Sequence, residues 1–179
     1  MASTLKVDTI AHTGGTSAIA ITSGGVVTQP AKPIFQVGLT ANQSVAHQTL
    51  TQVNFNDKTS TFASGNGSHF DIGGYFNTGN SRYIPQVAGY YFVVVSLRIE
   101  TVSPDYLQVY IKKNGQTIRF NSGMESNAAN AYVDVNTSTI VQMNGSGDYL
   151  TVDTYHNTGS SQNIINIGGQ TQFGGYLIS

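Results

Sequence analysis

The sequence predicts an all-β domain, a sandwich or barrel of short strands. Three observations carry this. No segment holds apolar residues at the 3, 4 and 7 spacing of a helix face over three turns, alternating runs recur along the chain, and Gly- and Asn-rich turn signals separate them. With 179 residues the chain has room for one good-sized domain, or for one domain and a short arm.

The first 32 residues read as that arm. In "LKVDTIAHTGGTSAIAITSGGVVTQPAKP" the apolar snatches (Leu5, Val7, Ile10; Ile19, Ile21; Val26, Val27) are broken by Gly pairs at 14–15 and 24–25. Such short strands cannot close a core alone, so the arm is expected to order on copies of itself or on a partner. Pro30 and Pro33 mark its boundary, because neither can donate to a ladder. The head then runs from 33 to 179.

The strongest strand in the head is "IPQVAGYYFVVVSLRI", Ile84 to Ile99. Period-2 alternation puts Tyr91, Val93, Val95, Leu97 and Ile99 on one face and Tyr90, Phe92, Val94, Ser96 and Arg98 on the other. The second face starts apolar and turns polar. That pattern predicts a central strand buried on one side by a sandwich core. Its other side is then covered near the start by a further strand layer or by neighbouring subunits.

Next, "DYLQVYIKKNGQTIRF" alternates Leu107, Val109 and Ile111 with Gln108, Tyr110 and Lys112 up to Asn114-Gly115. Asn-Gly between alternating runs predicts a type I′ hairpin, whose two central residues need positive φ. "STIVQMNGSGDYLTVDTY" reads as strand, turn and strand around Asn144 to Asp148, with Leu150 and Val152 inward. The closing strand, "QTQFGGYLIS", carries Phe173, Tyr176 and Ile178.

Composition narrows the function. Charged residues make up only 9% of the chain, against about 25% on average. With 8 Lys plus Arg against 9 Asp plus Glu there is no basic footprint for phosphate, so nucleic acid is not an expected partner. The polar positions hold Gly, Ser, Thr, Asn and Gln, which makes a neutral surface of hydroxyls and amides. No cysteine is present, which removes disulfides, thiolate metal sites and cysteine nucleophiles. No apolar run reaches the ~20 residues of a membrane helix, and the N-terminus lacks the run a signal peptide needs.

From Pro33 to the end, the order of motifs resembles the complement-C-one-q-like and tumour-necrosis-factor-like jelly roll. The motifs are "VNFN" (53–56), "FDIGGYF" (70–76), "RYIPQVAGYYFVV" (82–94), "VYIKKNGQ" (109–116), "IVQMNGSGDYLTV" (140–152) and "TQFGGYLIS" (171–179). Two departures stand out: Ala88 where that family usually has Pro, and an extra residue in the turn from Met143 to Asp148. The resemblance implies a two-sheet jelly roll of about ten strands, assembled as a trimer with aromatics of the inner sheet meeting at the threefold axis. The implied interface residues are Tyr90, Phe92, Phe173 and Tyr176.

The arm, "STLKVDTIAHTGGTSAIAIT" followed by "GGVV", is similar to the N-terminal segment of small tail-fibre and virion proteins of tailed phages, especially those of marine bacteria and cyanobacteria. It implies trimerisation or docking onto another virion protein. With Met1 directly ahead of the motif, a whole gene product made in the host cytoplasm and placed on the virion is expected.

Catalysis finds little support. His12, His47, His69 and His156 show no HxH or HExxH spacing, and no GxSxG elbow accompanies any Ser-His-Asp combination. Glutamate occurs only at Glu100 and Glu125, too few for the paired carboxylates of a depolymerase. Asp57, Asp71, Asp105, Asp134, Asp148 and Asp153 form no calcium loop, so an axial Ca²⁺ has no motif behind it, and no cofactor is expected. Asp71 and Asp148 are read as turn caps.

Sugar recognition suits the Tyr- and Asn-rich loops, since aromatic faces with neutral hydrogen-bonding partners fit a pyranose. The receptor-contact candidates are His69, Asn77, Asn80, Tyr83, Asn127, Tyr132, Tyr155, His156 and Asn157, from segments 63–70, 77–83, 121–132 and 155–163. The expected function is a non-enzymatic trimeric tail-fibre or receptor-binding protein contacting host-surface polysaccharide or lipopolysaccharide. The alternative is a purely structural virion protein, such as a capsid decoration, neck or baseplate component.

Overall fold

The structure, a computed structural model, describes residues 6–15, 17–62, 67–101, 106–124, 131–167 and 169–179. The chain divides into two compact units, Met1–Lys32 and Pro33–Ser179. In the first, β1 (Thr9–Ala11), β2 (Ser17–Ile21) and β3 (Val27–Thr28) make an antiparallel sheet in that order. None of its described residues is buried, and Ile10, Val26 and Val27 are at least half exposed. This sheet has no core of its own.

The second unit is entirely β among the described residues. It holds β4 (Ile34–Val37), β5 (Gln43–Val45), β6 (Thr51–Gln52), β7 (Phe70–Ile72), β8 (Phe76–Asn77), β9 (Arg82–Tyr83) and β10 (Gly89–Thr101). It continues with β11 (Tyr106–Lys113), β12 (Gln116–Met124), β13 (Ala131–Met143), β14 (Leu150–His156), β15 (Gln162–Ile164) and β16 (Gln172–Leu177). These form two antiparallel sheets. One runs β5-β15-β10-β16-β4-β7 with β13 on the free edge of β10, and the other runs β12-β11-β14-β9-β8 with β6 also on β14.

β10 is the spine of the first sheet. It pairs with β13 along its whole length from Gly89↔Met143 to Thr101↔Ala131, and with β16 across Tyr91↔Leu177 to Ser96↔Gln172. The chain enters it at Gly89, where φ is +151° and a Cβ would sit 2.3 Å from the Ser179 carbonyl oxygen. Only glycine fits that approach, which explains why it closes the Pro85 to Gly89 turn.

The core fills the space between the sheets. Tyr91, Val93, Val95, Leu97 and Ile99 of β10 are buried on the face that alternation assigns them, against Leu107, Val109 and Ile111 of β11 and Leu150 and Val152 of β14 within one cluster. Phe35 stacks on Tyr83 with ring centroids 3.9 Å apart and meets Phe173 edge-on at 5.0 Å.

The β11–β12 hairpin turns at Asn114 (φ +52°) and Gly115 (φ +80°), the two positive φ values its Asn-Gly motif requires. The turn from Asn144 to Asp148 carries the chain from one sheet to the other. Asp148 Oδ2 accepts the Asn144 N–H at 3.0 Å there, and in the loop ahead of β8, Asp71 accepts the N–H groups of Tyr75 and Phe76. Both aspartates cap turns.

Candidate functional site

The outer face of the seven-stranded sheet carries a row of apolar side chains that the core does not take. Register places Ile140, Phe92, Tyr176, Ile34 and Ile72 side by side on β13, β10, β16, β4 and β7. Four strand spacings of ~4.8 Å make this row about 19 Å wide. Ile140 is 61% exposed, and Ile34, Ile72 and Tyr176 are also exposed. Tyr90 and Val94 flank the row on β10, and the Phe92 and Tyr176 rings sit 5.7 Å apart. Among the described residues of the head, no second strand layer covers the face. A contiguous patch of this kind marks an interaction surface.

Toward the other end of β10 and β13 the same face becomes polar. Arg98 Nε and Nη2 donate to the two carboxylate oxygens of Asp134 at 2.7 and 2.6 Å. The fork holds the Asp134 carboxyl below its usual range and raises the guanidinium. Tyr132, expected in a loop, stands on β13 on this face, with the Arg98 guanidinium 5.5 Å from its ring centre. It shares the face of Tyr90 and Phe92 but stands opposite Glu100, at the far end of the strand from them.

Of the interface residues the resemblance implies, Tyr90, Phe92 and Tyr176 lie on this outer face, and Phe173 does not. Phe173 is fully buried between the sheets, because it is three positions from Tyr176 and strand alternation turns it the opposite way. Ile34, Ile72 and Ile140 were missed. Their place in the row depends on cross-strand register, which no single strand displays.

The loop candidates separate in the same manner. Asn77 and Asn80 are exposed, with Asn77 Oδ1 accepting the Gly79 N–H at 2.9 Å. Tyr155 and Asn157 are half-buried at the end of β14. Asn127 and positions 63–66 lie outside the described residues, as does Asp105.

Three candidates are corrected by burial. Tyr83 is a core residue under Phe35, its hydroxyl pushed up in pKa by that burial. His156 is fully buried on β14, and His69 is 5% exposed beside Asp57. A side chain enclosed by its own domain has no surface to offer a large receptor. Among the described residues, no three His, Asp or Glu side chains converge to hold a metal ion.

His156 is held in one neutral form. Its Nε2 lies 3.0 Å from the Val45 carbonyl, which can only accept, so Nε2 carries the proton and Nδ1 is left to accept the Thr158 N–H. Burial lowers its pKa, and His47 nearby adds to this. The unfolded chain therefore binds a proton that the folded chain refuses. Stability should be full above the ordinary histidine value of about 6.5 and fall as pH drops from about 7 to about 5. Urea melts at the two ends of that window check this, and His156→Leu should flatten the slope.

No family model and no curated protein matches the sequence. Among solved structures, the chain is similar to the globular domain of zebrafish complement 1qA protein. The two are 19% identical, with 83% of this chain and 98% of that one covered and a TM-score of 0.54. It is also similar to the Eiger TNF of S. frugiperda, at 10% identity, 82% and 91% coverage and a TM-score of 0.56. At these identities the likeness is one of fold. The head is a two-sheet jelly roll of the complement-C-one-q and tumour-necrosis-factor type.

Proposed function

We propose that this chain is a non-enzymatic, homotrimeric phage tail-fibre protein whose head contacts host-surface glycan and whose arm attaches it to the virion. The observation that carries the assembly is the row Ile140, Phe92, Tyr176, Ile34 and Ile72, in which all but the half-buried Phe92 are exposed on the single chain. Beside it, Gly174 and Gly175 leave a depression of about 160 Å³ lined by Ile34, Phe92, Val94 and Tyr176, a shape suited to a neighbouring subunit's side chain. Three such faces meeting on an axis bury the patch and leave the polar loops outward.

Support for the fibre role comes from the arm and from the neutral Asn- and Tyr-rich surface. The arm's sheet lacks a core of its own, which suits a segment that docks onto a partner. Sedimentation equilibrium tests the assembly: three copies of the 19.0 kDa chain are expected, and a monomer at micromolar concentration overturns it. Removing residues 1–32 tests the division of labour. The head should still adsorb to host cells while incorporation into virions is lost. A head that binds nothing would leave the structural virion role instead.

A further inference from the structure

Of the eight phenylalanines, only Phe120 is exposed, with 55% of its surface open to water. It stands on β12, outside the core cluster. Register pairs it with Tyr110 of β11, and the two ring planes lie within 24° of each other with centroids 5.7 Å apart. Leu107, Val109 and Ile111 of β11 are buried in the core, so Gln108, Tyr110 and Lys112 point outward, and Phe120 with them. This is the outer face of the second sheet. It lies on the opposite side of the sandwich from the row at Ile140, Phe92 and Tyr176, so an assembly through that row leaves it open.

The Tyr110 hydroxyl donates to Gln108 Oε1, two positions back on the same face, so the ring leans along β11 instead of standing off the sheet. Phe120, nearly parallel to it, extends the same aromatic surface onto β12. Polar groups border the rings. Gln108 Nε2 donates to Ser122 Oγ at 3.0 Å, and the exposed Ser122 keeps its own hydroxyl proton to give. Tyr155, one of the receptor-contact candidates, stands opposite Gln108 on β14.

Charge and size select the ligand class. Lys112 Nζ lies 2.8 Å from Asp153 Oδ2, so the two charges cancel within the face. Arg119 is turned toward β13, its Nε donating to Thr137 Oγ1 at 3.1 Å. An anionic group therefore finds no cation held out for it, and an uncharged face complements an uncharged ligand. A protein partner needs about 800 Å² on each side, more than two rings and their polar border offer. A pyranose fits both parts: its C–H face lies on aromatic rings, and its hydroxyls reach the hydroxyl and carboxamide beside them.

We propose that the outer face of the β11–β12 hairpin binds a neutral sugar, with Tyr110 and Phe120 stacking on the pyranose and Ser122 and Gln108 hydrogen-bonding its hydroxyls. The proposal rests on the glycan-contacting reading of the head and locates that contact on strands instead of in loops.

Full-length protein with isotope-labelled Phe and Tyr rings, titrated with neutral hexoses, N-acetylhexosamines and their short oligosaccharides at millimolar concentration, provides the test. At least one sugar should shift the Phe120 and Tyr110 ring signals saturably, each assigned by its loss in Phe120→Leu or Tyr110→Leu. Phe120→Ala, a change at an exposed position, should weaken that sugar's binding, read at Tyr110, roughly tenfold or more, with sedimentation and the far-ultraviolet spectrum unchanged. Phe120→Tyr should retain it. No shift with any sugar, or binding indifferent to Phe120→Ala, overturns the hairpin as the site. Adsorption of wild-type and Phe120→Ala protein to isolated host-surface polysaccharide keeps the broader reading separate: if both adsorb equally, only the hairpin proposal fails. If wild-type protein adsorbs to none and no sugar moves either ring, both fail.

Discussion

Phe92→Asp should convert the proposed trimer into folded monomers. Phe92 is half-buried on the single chain and lies between Ile140 and Tyr176 on the outer face. In the monomer an aspartate there reaches water, and the core beneath is untouched. In an assembly that covers the row, each subunit would bury an unpaired carboxylate, at several kcal/mol per ion. Threefold symmetry repeats the cost three times. Sedimentation velocity should report a monomer with an unchanged far-ultraviolet spectrum, and Ile140→Asp should do the same from the neighbouring strand. A soluble, fully assembled trimer carrying Phe92→Asp would place the subunit contact elsewhere.

Phe173→Ala should act in the opposite place. Its ring packs edge-on against Phe35 and lies 5.9 Å from Phe55 and 6.5 Å from Phe76, all at the centre of the sandwich. Truncating a fully buried phenylalanine costs about 3–5 kcal/mol, through lost burial and the void left behind. Chemical denaturation of the Phe92→Asp monomer, with and without Phe173→Ala, measures this free of any assembly term. A loss below about 1 kcal/mol would mean that Phe173 is not the keystone its contacts describe. The pair of variants separates two residues that the resemblance had put in one group.

That grouping shows where sequence reading stopped short. Phe173 and Tyr176 are an odd number of positions apart on one strand, so alternation alone sends them to opposite faces. The signal was present and was overridden by the resemblance. Tyr83 and His156 misled for a different reason. Each ends a polar, loop-like segment, yet Tyr83 stacks under Phe35 and His156 closes a strand buried on both faces. A short strand carrying Asp, Thr and His looks exposed until neighbours cover both its sides.

Much was nonetheless legible in local pattern. The absence of helix among the described residues, the Asn114-Gly115 hairpin, the central strand from Gly89 and its inward face follow from period-2 alternation and turn chemistry, which act between near neighbours in the chain. The break near Pro33 is visible in the same way, as a change from Gly-interrupted snatches to full strands.

What only tertiary structure decided is which distant residues share a surface. Ile34, Ile72 and Ile140 are scattered over 107 positions, and cross-strand register alone aligns them with Phe92 and Tyr176. Likewise Asp57, His69 and Asn166 come from three separate loops and meet around one cavity. Alternation along a strand is set by the backbone's own geometry, residue by residue. Register between strands and convergence of loops are set by how the whole chain buries its apolar area, and that sum has no local signature.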